Sequence, residues 1–265
     1  MNERILLTGG SGFLGSGVKA ALSHANPVLF DRANPETNAD VSGVIHIASL
    51  VAYHQTDSQA LFEGNTLLTQ WLCRHYSQKR FVLASSVSVY GTNHTETLIT
   101  ELSKVGTNAP YGLSKLWAEQ FVASLESYAI IRFSSLYGPG MNETTLIPRY
   151  VQQALATGTI EVWGTGERRQ NYLHQSDAVA LLLAAMKSVE NGIFLGTDVC
   201  EYSNLEVAEI IADLTGAQIR FINSDSSKSI SYNNLRTRQQ LGWEPRMDLR
   251  TGLEQYIEWK KRQSL

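Results

Sequence analysis

The chain has 265 residues, with 22 lysines and arginines against 25 aspartates and glutamates, which gives a formal net charge of −3. This length is sufficient to bury a full hydrophobic core, and it permits one large domain or two modest ones. The charge provides no basic field for nucleic acid, and no apolar run is as long as a membrane span. We therefore expect a soluble, cytoplasmic protein that binds neither nucleic acid nor membrane.

Cysteine and histidine patterns give no sign of a disulfide framework or of a metal centre. Cys73 and Cys200 are too few for a framework and have no ligand-like spacing. We expect both to be small buried apolar residues in a reducing compartment. The spacing typical of metal ligands is also absent from five histidines, namely His24, His54, His75, His94 and His174.

Strand-like and helix-like segments alternate through the first 140 residues. Short apolar runs predict buried parallel strands at residues 4–8, 27–31, 44–48, 80–85 and 129–133. Apolar residues at helical spacing predict helices at residues 13–22, 61–76 and 111–128. This alternation favours an α/β fold in which helices cover both faces of a doubly wound parallel sheet.

The pattern changes after about residue 140, where the segments become less regular. Helices are predicted at residues 146–156, 177–189 and 203–215, and a strand near residues 160–162. Ser203 and Glu206 have the spacing of a helix capping box. We expect residues 1–140 to form the larger domain, with some later segments contributing. Residues 141–265 should form mainly a smaller, discontinuous α/β lobe that binds the substrate.

A glycine-rich turn follows the first predicted strand and opens the first predicted helix. We assign Gly9, Gly12, Phe13, Leu14 and Gly15 to contact with a dinucleotide cofactor. The glycines allow a tight turn and a close backbone approach, and the positive end of the helix attracts a pyrophosphate. The alternative is an ordinary strand-to-helix turn, which three glycines in this context make the weaker interpretation.

The end of the second predicted strand bears on the choice between NAD and NADP. Asp31 stands there, and its carboxylate could accept hydrogen bonds from the adenosine ribose while repelling a 2′-phosphate. Arg32 follows it, and a guanidinium at this place could instead bind the phosphate of NADP. The sequence favours NAD and leaves NADP open. Asp31 could also be a solvated loop acid.

Tyr111 and Lys115 are the candidate catalytic pair. An unperturbed tyrosine has a pKa of about 10 and is a poor acid or base at neutral pH. A lysine one helical turn away lies on the same face and favours the phenolate, so Tyr111 could exchange a proton with an alcohol oxygen while hydride moves. Such a pair is usually a surface feature, but its position downstream of the glycine-rich turn favours catalysis.

Two serines end the strand that precedes the predicted helix of Tyr111. A hydroxyl at this position could orient the reacting oxygen and share its proton. Of Ser85 and Ser86, we select Ser86 as the third catalytic residue, although serines at strand ends are often only turn formers.

These motifs together resemble the extended short-chain dehydrogenases/reductases, the NAD-dependent epimerase/dehydratase family that acts mostly on nucleotide sugars. The resemblance extends over nearly the whole chain. It is carried by residues 8–15, 44–49, Asn65, Ser86, Tyr111, Lys115, 132–139, 164–174, Asp177 and 241–245. It implies a Rossmann-type domain that binds NAD(P), and a homodimer joined through the helices of Tyr111 and of residues 61–76. Trp117 and Phe121 are possible contacts between subunits, although core packing explains them as well.

The resemblance also extends the cofactor site beyond the glycine-rich turn. It places Ile47, Ala48 and Ser49 of a His-x-Ala segment beside the cofactor. Four further residues are added on the same ground, namely Asp40, Val41, Asn65 and Phe133. Tyr111 and Lys115 are also assigned to the cofactor, since Lys115 can hydrogen-bond the nicotinamide ribose. Asp40 and Val41 would stand in for a pair that contacts adenine, because the region between Asp31 and Val44 is shorter than in the family.

The substrate residues implied by the resemblance lie mostly in the second half of the chain: Ser86, Ser88, Ser135, Leu146, Arg149, Trp163, Arg169 and Gln170. Gln170 occupies the place of a frequent phosphate-binding arginine, and a second arginine expected near residue 223 is absent. Arg149, Arg168, Arg169 and Lys228 could compensate, or the substrate could carry less phosphate. Trp163 could stack on a base or pack in the core, and His54 and His94 lie in segments able to face the substrate.

Three functional hypotheses follow from these residues. Dehydratases of the family carry an Asp-Glu pair after the catalytic serine or threonine, where this chain has Val87 and Ser88, so dehydration is disfavoured. The first hypothesis is an NAD-dependent epimerase of a nucleotide-activated sugar. The second is an NADPH-dependent reductase of a keto sugar or related carbonyl. The third is a catalytically idle dinucleotide sensor, which the intact Ser86, Tyr111 and Lys115 disfavour.

Overall fold

A computed structural model describes residues 4–25, 27–31, 40–51, 57–91 and 98–263. Predictions made for Arg32, His54 and His94 lie outside these residues. The described strands are β1 (Ile5–Thr8), β2 (Val28–Leu29), β3 (Gly43–His46), β4 (Arg80–Ser86), β5 (Leu98–Ile99), β6 (Tyr128–Phe133), β7 (Ser135–Tyr137), β8 (Thr159–Trp163), β9 (Arg169–His174), β10 (Gly192–Gly196), β11 (Glu201–Ser203), β12 (Gln218–Ile222) and β13 (Ser231–Tyr232).

The described α-helices are α1 (Phe13–Ala21), α2 (Ser58–Leu61), α3 (Leu68–His75), α4 (Pro110–Ala123), α5 (Leu146–Thr157), α6 (Gln175–Lys187), α7 (Asn204–Thr215), α8 (Leu235–Leu241) and α9 (Leu249–Gln263). A π-helical segment, Phe62–Leu67, joins α2 to α3. Short 3₁₀ turns follow α1 and β4. None of the helices in the described part of the chain is long and apolar enough to cross a membrane.

Six parallel strands form the main sheet, in the order β10-β6-β4-β3-β1-β2. Side chains alternate between its two faces. In β1, Ile5 and Leu7 pack with α1 and α6 on one face, while Leu6 packs with α3 and α4 on the other. Burial on both faces explains why these strands are continuous apolar runs. The predicted α/β fold with a doubly wound parallel sheet is confirmed.

The chain crosses between the main sheet and a second layer of structure more than once. The outer strand β10 comes from the second half of the chain and pairs with β6. A second core lies between α5, α7, α9, β8 and β12, and includes Val151, Ile160, Val207 and Leu253. A three-stranded sheet, β11-β9-β7, begins directly after β6. The division at residue 140 stays a prediction, but later segments do contribute to the main sheet.

The structure corrects several local expectations. The predicted helix 61–76 contains the π-helical segment, and the predicted helix 111–128 ends at Ala123. Tyr128 belongs to β6, because the helix ends before it: the backbone N–H groups of Ser124 and Leu125 donate to the carbonyls three residues earlier instead of four. Helix α6 begins two residues earlier than predicted, since the His174 side chain caps it. The capping box of Ser203 and Glu206 is confirmed.

The two cysteines differ from each other in burial. Cys73 is buried on the α3 side of the main sheet, and burial raises the pKa of its thiol to about 12. Cys200 is exposed, so the expectation that both cysteines are buried was wrong for this one. Its position between β10 and β11 is a connection at the surface, where neither sheet covers it. The described residues contain no group of three or more potential metal ligands.

Candidate active site

A cavity of about 1150 Å³ opens at the carboxyl edge of the main sheet. Its walls come from the residues that follow β1 and β3 and from the ends of β4 and β6, together with α4 and the start of α5. This edge is the usual ligand-binding side of an open α/β sheet, because the connections leave a crevice there. The cavity therefore lies where the fold favours a bound ligand.

Most of the predicted site residues line this one cavity. All three predicted catalytic residues do so: Ser86, Tyr111 and Lys115. Besides Tyr111 and Lys115, nine of the predicted cofactor residues line it, namely Gly9, Gly12, Phe13, Leu14, Gly15, Ile47, Ala48, Ser49 and Phe133. The predicted substrate residues in its wall, besides Ser86, are Ser135, Leu146, Arg149 and Gln170. The fold thus brings together residues from both halves of the chain.

Three residues that were predicted to bind the adenosine part of the cofactor do not line the cavity. Asp31 is an exposed residue after β2. The Oδ1 of Asp40 lies 3.5 Å from Nζ of Lys79 and is exposed. Val41 is buried and packs in the core beneath the α3 and α4 face. Their assignment to the cofactor stays a prediction that the cavity wall does not support directly.

Three residues predicted to bind the substrate also lie outside this cavity. Trp163 ends β8 and is 46% exposed, which is too much for a core residue, so core packing does not explain it. The Nη1 of Arg169 lies 3.2 Å from Oε2 of Glu206, and Arg169 lines a smaller pocket beside the cavity. Ser88 has a buried hydroxyl without a hydrogen-bond partner among the described residues.

The glycine-rich turn has the backbone geometry that a phosphate cradle requires. Gly9 has a φ of +70°, and a Cβ there would lie 2.7 Å from the backbone N of Ala48. A Cβ on Gly15 would overlap the carbonyl oxygen of Gly9. Helix α1 begins at its N-cap, Gly12, without a side-chain cap. Because the first-turn amides of a helix lack partners within it, this cradle fits the pyrophosphate of a dinucleotide.

A buried hydrogen-bond network ties the turn to the loop after β3. Oγ1 of Thr8 lies 2.7 Å from Nδ1 of His46 and accepts hydrogen bonds of 3.0 Å from the backbone N–H groups of Ile47 and Ala48. Nε2 of His46 lies 2.8 Å from Oγ1 of Thr69. These contacts fix the glycine-rich turn and the loop after β3, which form two walls of the cavity, relative to each other. Sequence analysis assigned no such role to Thr8 or His46. The signal that could have indicated it is that each is a polar residue at the end of an apolar strand.

Asn65 supports the cavity from behind rather than lining it. It lies in the π-helical segment and is buried. Its Oδ1 accepts hydrogen bonds from the backbone N of Leu50 (2.7 Å) and from Oγ of Ser49 (3.1 Å). Its Nδ2 donates to the carbonyl of Leu50 (2.9 Å) and to Oγ of Ser114 (3.0 Å). All four hydrogen-bonding positions of the amide are used, so Asn65 fixes the loop of Ser49 and Leu50 against α4.

The three candidate catalytic residues come from the end of β4 and from α4. Oγ of Ser86 accepts a hydrogen bond of 3.1 Å from the backbone N of Ser88. Tyr111 and Lys115 are one turn apart in α4, which begins at Pro110, a residue suited to the first turn of a helix. Nζ of Lys115 donates a hydrogen bond of 2.8 Å to the carbonyl of Ala84. This bond fixes the ammonium beside the end of β4.

The environment of Lys115 moves its titration toward neutral pH. Desolvation lowers the pKa of Lys115 to about 8, and the negative charge of Glu119 partly opposes this effect. Lys115 is buried, so its ammonium is weakly solvated yet remains protonated at pH 7. Lys115 can therefore supply a positive charge to neighbouring groups at pH 7, although burial has reduced its own affinity for a proton.

A buried ion pair lies behind the catalytic helix. Glu119 accepts hydrogen bonds from Nε (3.0 Å) and Nη2 (2.7 Å) of Arg132 in β6. It also accepts one of 2.5 Å from Oγ of Ser85 in β4. The guanidinium lies 4.8 Å above the centre of the Tyr90 ring. Ser85 and Ser86 both line the cavity, but the hydroxyl of Ser85 donates its hydrogen bond to Glu119, which favours Ser86 as the serine that contacts a substrate. Sequence analysis missed Glu119.

We expect Lys115→Met to raise the free energy of unfolding at pH 7, because it removes a buried ammonium. The folded pKa of about 8 lies below the ordinary 10.5, so the burial cost is complete below pH 8 and declines as the pH rises toward 10.5. The expected gain is about 1–3 kcal/mol at pH 7, allowing for the lost hydrogen bond, and it should shrink by pH 9.5. Urea denaturation at both pH values measures it.

Lys104→Met is the matched control for this substitution, since Lys104 is an exposed lysine remote from the cavity. Its effect on the free energy of unfolding should stay within about 0.5 kcal/mol at both pH values. A stabilisation by Lys115→Met that grows from pH 7 to pH 9.5 would contradict the assigned titration.

Comparison with known proteins places this site in a family. Residues 31–195, more than half of the chain, match the family model described as "NAD dependent epimerase/dehydratase family". A putative UDP-glucose 4-epimerase of Methanocaldococcus jannaschii is 25% identical, over 97% of this chain and 98% of its own length. A dTDP-D-glucose 4,6-dehydratase of Dictyostelium discoideum is 26% identical over 80% of this chain, which spans only 62% of that relative.

Solved structures show the same fold. MoeE5 in complex with UDP-glucose and NAD superposes with a TM-score of 0.86 at 26% identity, over 99% of this chain and 100% of the other. UDP-glucose 4-epimerase from Thermotoga maritima, solved with UDP-glucose, gives a TM-score of 0.84 at 21% identity, over 99% of this chain and all of the other. The second likeness concerns the fold alone.

Proposed function

The chain belongs to the NAD-dependent epimerase/dehydratase family, as its motifs indicated, and on this premise we propose that it epimerises a nucleotide-activated sugar. Membership of the family makes it an NAD(P)-dependent enzyme of the extended short-chain dehydrogenase/reductase type. The observation that carries the proposal is that Ser86, Tyr111 and Lys115 line the same cavity as the glycine-rich turn.

The residues of the cavity fit a dinucleotide. Gly9, Gly12 and Gly15 line the cavity at the start of α1, where the first-turn amides of the helix suit a pyrophosphate, and Ile47 and Ala48 line it as well. Bound NAD would accept a hydride from the sugar carbon and return it. The exposed Asp31 is the residue on which our preference for NAD over NADP depends.

Residues of this chain carry out the proton transfer. Tyr111 takes the proton of the reacting sugar hydroxyl and returns it when the keto sugar is reduced on its other face. The buried ammonium of Lys115 favours the phenolate form of Tyr111, because it is a positive charge on the same face of α4. Ser86 orients the sugar oxygen by a hydrogen bond from the end of β4.

The wall of the cavity disfavours dehydration. Elimination of water needs an additional acid and base, and no aspartate or glutamate is among the described residues that line the cavity. Val87 and Ser88 follow Ser86 in a 3₁₀ turn, where the dehydratase pair would stand. Although several relatives are named dehydratases, this chain presents the groups that transient oxidation and re-reduction require.

Product analysis with deuterated substrate tests the proposed function. Purified protein with NAD is incubated with UDP-glucose carrying deuterium at C4, and the sugars are analysed by NMR and mass spectrometry. We expect a C4 epimer that retains the deuterium, because the same hydride leaves and returns. The amount of product should exceed the bound NAD, with no accumulation of NADH.

Other outcomes separate the alternatives. Stoichiometric oxidation of NADPH when a nucleotide-linked 4-keto sugar replaces UDP-glucose, together with no epimerisation of UDP-glucose, would support the reductase and reject the epimerase. If neither cofactor gives turnover of UDP-glucose, small molecules that co-purify with the protein, identified by mass spectrometry, define the next sugar to assay.

We also retain the proposal of a cytoplasmic homodimer joined through α4 and the helical segment before it. Four large apolar side chains on these segments are exposed: Phe62 (44%), Leu67 (43%), Leu113 (42%) and Trp117 (56%). Exposed apolar patches of this kind are typical of protein–protein contacts. The expectation for Trp117 as a contact between subunits gains support from its exposure.

A further inference from the structure

The end of β4, which carries Ser86, is fastened to α4 by two side chains of that helix. Nζ of Lys115 donates a hydrogen bond of 2.8 Å to the carbonyl of Ala84. One helical turn later, Oε1 of Glu119 accepts a hydrogen bond of 2.5 Å from Oγ of Ser85. Successive residues of the strand are therefore held by successive turns of the helix, and the next residue of the strand is Ser86.

The register of the main sheet brings a second strand into this contact. Ser85 in β4 is paired with Arg132 in β6, so their side chains leave the sheet on the same face. Leu83 and Ile130, two residues earlier in each strand, belong to the core on the α4 side of the sheet. The carboxylate of Glu119 meets both polar side chains, because it accepts one hydrogen bond from Ser85 and two from Arg132. One buried group of α4 thus holds two neighbouring strands.

The charge of the carboxylate makes this contact strong. A hydrogen bond from a hydroxyl to a carboxylate is shorter and stronger than one between neutral groups, and the bond from Ser85 to Glu119 is 2.5 Å long. Glu119 is also buried, so water does not compete for its oxygens. An apolar pair of similar volume in place of Glu119 and Arg132 would often be at least as stable. Such a pair would leave the hydroxyl of Ser85 without its acceptor.

The distance between the two candidate reacting hydroxyls depends on how β4 is held against α4. Oγ of Ser86 accepts a hydrogen bond of 3.1 Å from the backbone N of Ser88, which fixes the hydroxyl relative to the 3₁₀ turn after the strand. Tyr111 stands instead on α4, three residues before Ser114 in that helix. The contact between Ser85 and Glu119 joins these two elements one residue before Ser86.

We propose that Glu119, acting through Ser85, is a positioning residue that holds Ser86 at the distance from Tyr111 that proton transfer requires. The inference rests on the proposed function for the roles of Ser86 and Tyr111. Glu119 is absent from the described residues that line the cavity, so its effect passes through another side chain. A misplacement of about 1 Å can lower the rate of a reaction by about 10²-fold, so loss of the contact acts on kcat rather than on binding.

Steady-state kinetics with NAD and UDP-glucose test this inference. We expect Ser85→Ala to lower kcat by about 10- to 100-fold and to leave KM within about threefold of wild type, because the sugar is bound as before while the reacting groups are misplaced. Ser124→Ala is the matched control, since its hydroxyl donates a hydrogen bond of 2.7 Å to the carbonyl of Phe121 at the exposed end of α4. It should keep kcat within about twofold of wild type.

Glu119→Leu combined with Arg132→Met separates positioning from stability. This double variant removes the acceptor of Ser85 without leaving a buried charge, so we expect it to retain most of the stability in urea and still to lose kcat as Ser85→Ala does. Adding Ser85→Ala to it should change kcat by less than about twofold, because the hydrogen bond is already absent.

Three kinetic outcomes would overturn the inference. The first is an unchanged kcat in Ser85→Ala, with or without a raised KM, since a raised KM alone assigns Ser85 to substrate binding. The second is recovery of the wild-type kcat in the double variant, which would reduce the ion pair to a structural role. The third is a full further loss of kcat when Ser85→Ala is added to the double variant, because the two residues would then act separately.

Hydrogen–deuterium exchange gives a readout that does not depend on the sugar. We expect Ser85→Ala to accelerate exchange at residues 84–88 by about 3- to 10-fold relative to the rest of the main sheet, the effect of one lost hydrogen bond. If wild type does not turn over UDP-glucose, the proposed function fails for this sugar, while accelerated exchange confined to residues 84–88 still supports the positioning contact. Acceleration no greater there than in the rest of the sheet overturns the inference.

Discussion

Tyr111→Phe should reduce turnover of the sugar substrate by about 10²- to 10⁴-fold, which is the range for loss of a general acid–base group. The substitution removes one oxygen at the wall of the cavity, and phenylalanine fills nearly the same space. We expect the affinity for NAD to change little, because the pyrophosphate cradle belongs to a different part of the cavity. Initial rates and a cofactor titration on the same preparation measure both quantities.

Tyr128→Phe provides the matched control for this experiment. Tyr128 begins β6 and is absent from the cavity wall. Turnover should remain within about twofold of wild type, because the hydroxyl of Tyr128 belongs to a residue outside the cavity wall. A Tyr111→Phe variant that retains half of the wild-type rate would remove the central argument for this active site.

Glu119→Gln should lower the free energy of unfolding by about 3–5 kcal/mol, since breaking a buried ion pair leaves an uncompensated charge. Glu119 and Arg132 are each at most 3% exposed and form two hydrogen bonds with each other. The substitution also weakens the bond from Ser85, which joins β4 to the same carboxylate. Urea denaturation at pH 7 gives the change directly.

A double substitution separates the lost charge from a loss of packing. Glu119→Leu combined with Arg132→Met removes both charges, and we expect it to recover most of the stability lost in Glu119→Gln. Glu258→Gln is the surface control, because Glu258 pairs with Lys261 at the exposed end of α9 and should contribute less than about 1 kcal/mol. A double variant that is as unstable as Glu119→Gln would refute the explanation that stability is lost because Arg132 is left as an uncompensated buried charge.

The parts of the fold that sequence analysis identified are those with local patterns. The apolar run of β1, the glycine-rich turn and the start of α1 lie within twelve residues of each other, so their periodicity and turn chemistry suffice. The same holds for the capping box of α7. The resemblance then joined distant motifs, and in the structure Ser86, Tyr111 and Lys115 line one cavity.

The parts that sequence analysis missed depend on contacts between distant residues. His46 contacts Thr8 and Thr69, and Glu119 contacts Ser85 and Arg132, yet no local pattern distinguishes these side chains from solvated ones. The π-helical segment escaped for another reason, since its apolar spacing is close to that of an α-helix. Burial of individual residues is equally non-local, as the exposed Cys200 illustrates.

The position of β10 constrains how this protein can fold during synthesis. In chain order, β10 (Gly192–Gly196) is the last strand of the main sheet, and it is synthesised only after α6, whose apolar face covers one side of that sheet. Until the ribosome has released both segments, β6 presents an open backbone edge and the sheet presents an uncovered apolar surface. Such surfaces attract other chains. The nascent chain therefore remains prone to misassociation until α6 and β10 have been synthesised and have packed on the sheet.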